Sequence, residues 1–491
     1  MDIFRTKSVE QSIRDTEAPE HQLRKRLTAT DLTVFGIGVI VGTGIFVLTG
    51  QVARDVAGPA VAVSFVVAGI VCGLAALCYA EFASTIPVAG SAYTFSFATL
   101  GEFPAWVIGW DLILELALAA AVVSVGWSGY FASLLASLGL ELPASIAGAD
   151  PVVNVPAVLI VLILTAVLVA GIKLSSRVNL ILVITKIAVV LLVIVAGLFF
   201  VNGANYTPFI PDPISTPRVE GLQAPLVQVL FGLEPVAFGV IGIFSAAAIV
   251  FFAFIGFDIV ATAAEETIEP QHDVPRGIIG SLAICTVLYV AVSLVVVGMQ
   301  KYSQLSEAAP LSDAFISVGQ PWLATIISVG AIAGLTTVVL VLLLGQTRVL
   351  FAMCRDGLLP RSLAVVHPTF GTPARLTIII GLVTMALAGF VSFGELAELV
   401  NIGTLFAFVV VSLGVIILRR TRPDLPRAFR APLVPWLPIL SVLACLYLML
   451  NLPVQTWLRF LVWMAIGIVL YFAYGYRHSR TAAAPWRSSG E

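Results

Sequence analysis

Apolar runs of roughly twenty residues recur along the chain, separated by short polar stretches. They fall near 31–53, 59–83, 93–136, 155–172, 178–201, 244–262, 276–299, 321–351, 376–392, 396–418, 433–451 and 456–476. A bilayer crossing by an α-helix needs ~20 apolar residues, so the pattern predicts an all-α polytopic membrane protein with about twelve helices. The run at 93–136 is too long for one straight crossing. It predicts either a steeply tilted helix or a helix preceded by an interfacial segment, with Pro104 at the join.

Two runs carry interruptions. In DLTVFGIGVIVGTGIFVLTGQVA (31–53) the centre is Gly42-Thr43-Gly44. Glycine weakens a helix interior by about 1 kcal/mol. A broken helix frees backbone N–H and C=O groups, which hydrocarbon tolerates only where they line a cavity or bind something. The second half-helix would aim its N-terminal N–H groups and positive dipole end at such a cavity, as discontinuous helices of secondary transporters do toward anionic groups. The competing reading is glycines used for close helix packing. The sixth run, SAAAIVFFAFIGFDIVATAAEET (245–267), repeats the feature with Gly256 and Asp258 in mid-span. It occupies the same place in the second set of five spans as 42–46 does in the first. Corresponding interruptions in two halves point to the binding site of an inverted-repeat transporter. Five plus five plus two spans is the predicted architecture.

Composition narrows the class further. Hydrophobic residues make up 59% and charged residues 11%, against about 25% charge in soluble domains; mean hydropathy is +1.05. A net charge of −2 gives no case for nucleic acid. The first thirty residues are polar, with no apolar segment of the signal-peptide kind, so no cleaved leader is expected. Cys72, Cys78, Cys285, Cys354 and Cys445 show no metal spacing and read as small core residues. His21, His272, His367 and His478 lie outside the apolar runs, so no metal or other cofactor is expected, and no catalytic set stands out.

Basic residues set the orientation. The N-terminal segment holds Arg5, Lys7, Arg14, Arg24, Lys25 and Arg26. Loops on the same side add Lys173, Arg177, Arg276, Arg355, Arg361, Arg375 and the cluster from Arg419 to Arg430, and the tail adds Arg477, Arg480 and Arg487. The opposite side has Arg54, Arg218, Lys301 and Arg459. Both termini are therefore expected in the cytoplasm. The predicted organisation is a cytoplasmic segment 1–30, a first five-helix repeat 31–201, an outer loop 202–243, a second repeat 244–418, two further spans over 419–476 and a cytoplasmic tail 477–491. The stretch Val227–Phe231 in the outer loop is expected along the outer surface.

A charge at the centre of a membrane helix costs at least ~2.5–3.5 kcal/mol on insertion scales, so each one needs a reason. Glu81 lies near a helix end and reads as structural. Asp111 and Glu115 share one face of the third span. Glu115 is the deeper; it is a candidate anion for a cationic substrate or a proton site, against a bundle hydrogen bond. Lys186 sits a third of the way along the fifth span, too deep to reach the interface without snorkelling. It is a candidate proton carrier, or an internal cation in place of sodium. Asp258 either caps the broken sixth helix or pairs with the first span. Glu265 and Glu266, with Glu269 and Asp273, are candidates for gate salt bridges with loop arginines, against a solvated loop.

GIGVIVGTGIFVLTG in the first span, GWDLILE in the third, FFAFIGFD followed by EET in the sixth and RVLFAMCRDGLLP after the eighth together resemble the amino acid–polyamine–organocation superfamily, specifically bacterial relatives of its cationic amino acid transporter branch. The resemblance runs from about residue 25 to 430. It implies the LeuT-like five-plus-five inverted repeat and a proton-coupled permease of the cell membrane. The implied substrates are L-amino acids, cationic or small and neutral; the implied partners are protons and the lipid bilayer, and the sequence leaves open a small membrane-protein partner. It further implies that a substrate carboxylate meets N–H groups around Gly42, Thr43 and Gly44, and an ammonium meets carbonyls near Ile40, Phe252, Ala253 and Ile255. Lys186 aligns with the lysine that takes the sodium position, and Glu115 with the third-span glutamate of the cationic branch. Residues around Leu342 would wall the side-chain pocket. That wall reads VVLVLLLG, bulky and apolar, which counts against arginine or lysine and leaves small neutral amino acids open. The rival functions are an amino acid or polyamine exchanger, a channel and a membrane enzyme. The heteromeric exchangers use a cysteine between spans 3 and 4, where residues 138–154 have none.

Overall fold

Thr28 and Asp31 start the first membrane helix as a capping box. The Asp31 N–H donates to Thr28 Oγ1 at 3.4 Å, and the Thr28 N–H donates back to Asp31 Oδ2 at 2.9 Å. The helix, α1 (Ala29–Ile40), stops at Val41, whose backbone is extended. A second helical run, α2 (44–57), begins and ends in wide π turns. Gly58, at φ +63°, and Pro59 then turn the chain into α3 (Val61–Thr85). The structure is a computed structural model and describes residues 26–86, 91–147, 151–171, 176–215, 221–234 and 236–479. Arg5, Lys7, Arg14, Arg24, Lys25, Lys173, Arg218, Arg480 and Arg487, used above for orientation, lie outside these residues.

The long run at 93–136 divides into α4 (Ser91–Thr99) and α5 (Glu102–Ser137). The join is Gly101, at φ +102°, not Pro104. A proline in the first turn of a helix loses no hydrogen bond, whereas the left-handed residue ahead of it does break the path. There follow α6 (Val155–Val169), α7 (Ser176–Gly197) and the short α8 (Leu226–Leu230). The sixth span begins earlier than the hydropathy implies, as α9 (Gly239–Val250). It tightens into a 3-10 turn over Phe251–Phe254, extends at Ile255 and reverses at Gly256 before α10 (Phe257–Val260). After these come α11 (Pro270–Met299), α12 (Pro310–Ser317), α13 (Pro321–Arg355), α14 (Ala374–Phe390), α15 (Phe393–Thr421), α16 (Trp436–Leu450) and α17 (Val454–Leu470).

Among the described residues there is no strand, and eight helical runs are long and apolar enough to cross a membrane by length and composition. Four shorter apolar helices, α1, α6, α14 and α16, accompany them. The most extensive packing joins α13 to α5 and α11 to both α3 and α1. The outward faces of α7, α16 and α17 carry exposed Ile181, Leu443 and Val462, a surface that suits lipid and not water. All five cysteines are buried and unpaired.

Buried polar groups fasten the frame at its ends. Glu81, at the end of α3, accepts from Arg419 Nε at 2.8 Å and Nη2 at 2.7 Å, and from the Ala431 N–H at 2.8 Å. This two-pronged pair ties α3 to the end of α15 and the loop after it. Trp106 Nε1 donates to the Gly467 carbonyl at 2.8 Å, and Trp110 Nε1 to that of Trp463 at 2.9 Å. The Trp110 and Trp463 rings stack at 4.4 Å. These contacts hold α17 against α5. The stretch Val227–Phe231 lies mostly exposed on α8 and the residue after it, with Gln228 turned inward.

Candidate functional site

The two interrupted helices meet at their breaks. Gly44 faces Ala253 so closely that a Cβ at 44 would stand 2.2 Å from the Ala253 Cα. Gly256, at φ +119°, presses on Val39 in a conformation that L side chains rarely adopt. Glycine at these two positions is what lets the breaks touch.

Between them lies a small cavity of about 20 Å³, room for roughly one water. The first break contributes Val39, Ile40, Gly42, Thr43 and Gly44, and the second Phe252 and Ile255. Ala119 and Val123 on α5 and Val338 and Leu342 on α13 complete the wall. No charged side chain lines it. Thr43 Oγ1 is buried and has no hydrogen-bond partner, so one polar group is available inside an aliphatic enclosure. Both ends are shut. On one side Arg54 pairs with Glu307 at 3.1 Å, and Tyr130 Oη donates to the Phe46 carbonyl at 2.6 Å. On the other side the N–H groups of Arg26 and Leu27 donate to the Glu266 carbonyl, at 2.8 and 3.0 Å.

The helix ends at the breaks leave carbonyls without intrahelical partners. At the end of α1, Lys186 Nζ donates to the Gly38 carbonyl at 2.6 Å. Tyr289 Oη donates to that of Ile40 at 2.7 Å. Lys186 is fully buried, and its stem packs on Gly334, where a Cβ would come within 2.7 Å of its Cγ. No carboxylate pairs with it among the described residues. A cation at a helix C-terminus interacts favourably with the dipole, which gives the buried ammonium a partner. At the end of α9, Asn401 Nδ2 donates to the carbonyls of Ala248 at 2.9 Å and Ile249 at 3.0 Å.

Ile40, Gly42, Thr43, Gly44, Phe252, Ile255 and Leu342 thus gather around one cavity, and Ala253 backs it through Gly44. Glu115 and Asp258 lie outside its lining. Glu115 sits beside Thr404 of α15 and close enough to Asp258 to interact with it electrostatically. Asp111 packs on Gly403. Glu266 serves through its backbone carbonyl and makes no ion pair among the described residues; the side chain of Glu265 lies outside them. The sequence reading missed Val39, Ala119 and Val123, which are apolar residues in apolar runs, whereas Val338 falls within the wall VVLVLLLG expected around Leu342. It also missed Tyr289 and Asn401. Asn401 had a legible signal, a lone amide inside the apolar run 396–418.

A helical bundle with membrane-length apolar helices and a buried site between two interrupted ones is the architecture of a polytopic membrane protein. The family model described as amino acid permease matches residues 27–474, and the chain belongs to that family, within the amino acid–polyamine–organocation superfamily. It is 51% identical to a branched-chain amino acid permease of Bacillus subtilis, over 97% of this chain and 98% of the relative. It is 47% identical to a methylthioribose transporter of the same organism, again over 97% and 98%. It is 33% identical to cationic amino acid transporter 1 of Arabidopsis thaliana, over 93% of this chain and 83% of that protein.

Proposed function

We propose that the protein is a secondary active permease for L-amino acids with apolar, branched side chains, working by alternating access. The observation that carries this reading is the apolar cavity between the two breaks, lined largely by Val, Ile and Leu with Phe252, and with Thr43 as its one unpartnered polar side chain. An α-carboxylate suits the start of α2, where N–H groups lack intrahelical partners. An α-ammonium suits the free lone pairs of carbonyls at Ile40, Phe252, Ala253 and Ile255. An arginine or lysine side chain would find no countercharge in the lining. The branched-chain permease among the relatives points the same way.

The architecture proposed with it is the LeuT-like inverted repeat, 31–201 and 244–418, in about twelve crossings with both termini cytoplasmic. Proton coupling is proposed through Lys186, whose bond to Gly38 would form and break with its charge. Glu115 and Asp258 flank the site, and Glu265 and Glu266 belong to the gate at the α1 end. The methylthioribose transporter among the relatives favours one second reading, in which a methylthio group occupies the same aliphatic wall.

The test is uptake into proteoliposomes, with and without an inward proton gradient, of labelled leucine, isoleucine, valine, alanine, arginine and methylthioribose. Gradient-driven uptake of the branched-chain compounds is the expected result. Uptake of methylthioribose alone selects the second reading. Uptake that requires substrate inside and ignores the gradient selects an exchanger.

A further inference from the structure

Lys186 and Asn401 do the same work at two places. Each reaches from a neighbouring helix, α7 or α15, to carbonyls at the end of a half-helix that leads into the cavity. The Lys186–Gly38 bond spans 148 residues of chain, and the Asn401 bonds to Ala248 and Ile249 span 153 and 152. Near-equal spacing is what two copies of one five-helix unit would give. Both side chains are buried, Asn401 completely. Two carbonyls facing one amide fix its orientation, because only the NH₂ group can donate to them. Its Oδ1 is left buried without a partner, so the amide is held for its donors alone. Burying a polar side chain with one end unsatisfied is unfavourable, which argues that the bonds it does make matter.

We propose that Asn401 is a positioning residue for transport: it fixes the end of α9 and so aims the turn at Phe252–Ile255 at the substrate, as Lys186 fixes the end of α1. The transport role rests on the function proposed above. The two devices differ in one respect. An ammonium can release its proton, whereas an amide keeps both hydrogens at any physiological pH. The first break is therefore held by a bond whose charge assistance can be lost, and the second by one that stays the same. This assigns the proton-linked motion to the α1 side and a fixed reference to the α9 side.

The experiment compares wild type with Asn401→Ser, which keeps a short donor, Asn401→Leu, which keeps the volume without one, and Lys186→Met. Hydrogen–deuterium exchange is read by mass spectrometry on purified protein, and uptake kinetics in proteoliposomes. In Asn401→Leu, exchange over 248–256 is expected to accelerate about tenfold while 36–44 stays unchanged, with Asn401→Ser intermediate. Lys186→Met should show the mirror pattern. The KM of Asn401→Leu should rise about tenfold with the dependence on the proton gradient preserved, a split that general loosening does not give. Unchanged exchange over 248–256 overturns the proposal, and so does acceleration spread evenly through the chain. If wild type carries no amino acid, the transport reading fails, and the exchange data alone still decide whether Asn401 holds the break.

Discussion

Lys186 brings its ammonium to the end of a half-helix, where the Gly38 carbonyl is its acceptor. Hydrogen bonds that involve a charged group are worth about 1.5–3 kcal/mol. Lys186→Met retains the stem that packs on Gly334 and removes the donor. Uptake is expected to fall at least about tenfold and to stop responding to the proton gradient. Loss of rate with full gradient dependence would separate Lys186 from coupling. The cavity wall gives a second expectation. Leu342 is almost fully buried and lines the site, so Leu342→Ala enlarges it by a few carbons. One methylene in an apolar pocket is worth about 10–200-fold in discrimination. The ratio of phenylalanine or methionine uptake to valine uptake should therefore rise at least about tenfold. An unchanged ratio would remove Leu342 from the specificity wall. These two residues were both legible in the sequence, Lys186 as a charge where none belongs and Leu342 through the family resemblance. Val39, Ala119 and Val123 were not, because an apolar residue in an apolar run looks the same whether it faces lipid, a neighbouring helix or a substrate.

At the scale of elements, interruptions were easier to read than joins. Gly42, Gly44 and Gly256 marked the broken helices because they recur at corresponding places in the two halves, whereas single glycines such as Gly69 and Gly330 serve close packing. Gly101 was overlooked in favour of Pro104, because proline looks like the stronger breaker until its place in the first turn is known. The ties between elements were out of reach. The acceptors of Trp106 and Trp110 lie more than 350 residues further along the chain. Glu81 and Arg419 are 338 residues apart. That pair offers a clear expectation. Breaking a buried ion pair from one side costs about 3–5 kcal/mol, because the remaining charge keeps its burial and loses its partner. Arg419→Ala leaves the buried Glu81 alone with the partly engaged Arg427. It should lower the melting temperature in detergent by several degrees and reduce the folded yield. Glu81→Gln, which keeps an acceptor for Arg419 and leaves Arg427 its bonds to the Leu425 and Arg422 carbonyls, should cost less. Equal melting of both variants and wild type would show that α3 and α15 are held by apolar packing alone.

At the scale of the molecule, a cavity that holds about one water is too small for an amino acid, so it describes a state that must widen to take up substrate. Alternating access then depends on which closure yields first. At the end proposed to face outward, α2 is held down by the Arg54–Glu307 pair, whose side chains are 34% and 19% exposed. Such a pair is worth about 0–1 kcal/mol. Its loss therefore shifts an opening equilibrium by at most about fivefold, enough to bias the cycle without stopping it. The opposite closure is made by backbone bonds from Arg26 and Leu27 to Glu266, which no side-chain change removes. Arg54→Ala and Glu307→Gln should each favour the outward-open state, and together they should do less than the sum of the two, because the Arg54–Glu307 pair is the interaction they share. The measurement is the labelling rate of Val47→Cys by a membrane-impermeant maleimide, with the five buried native cysteines replaced. Val47 is buried in the closed form and lies on α2. Labelling should quicken up to about fivefold in either variant. In wild type it should quicken with added salt, which screens exposed pairs and leaves the variants unaffected. Labelling that is indifferent to salt and to both substitutions would show that loop packing closes this end without the ion pair.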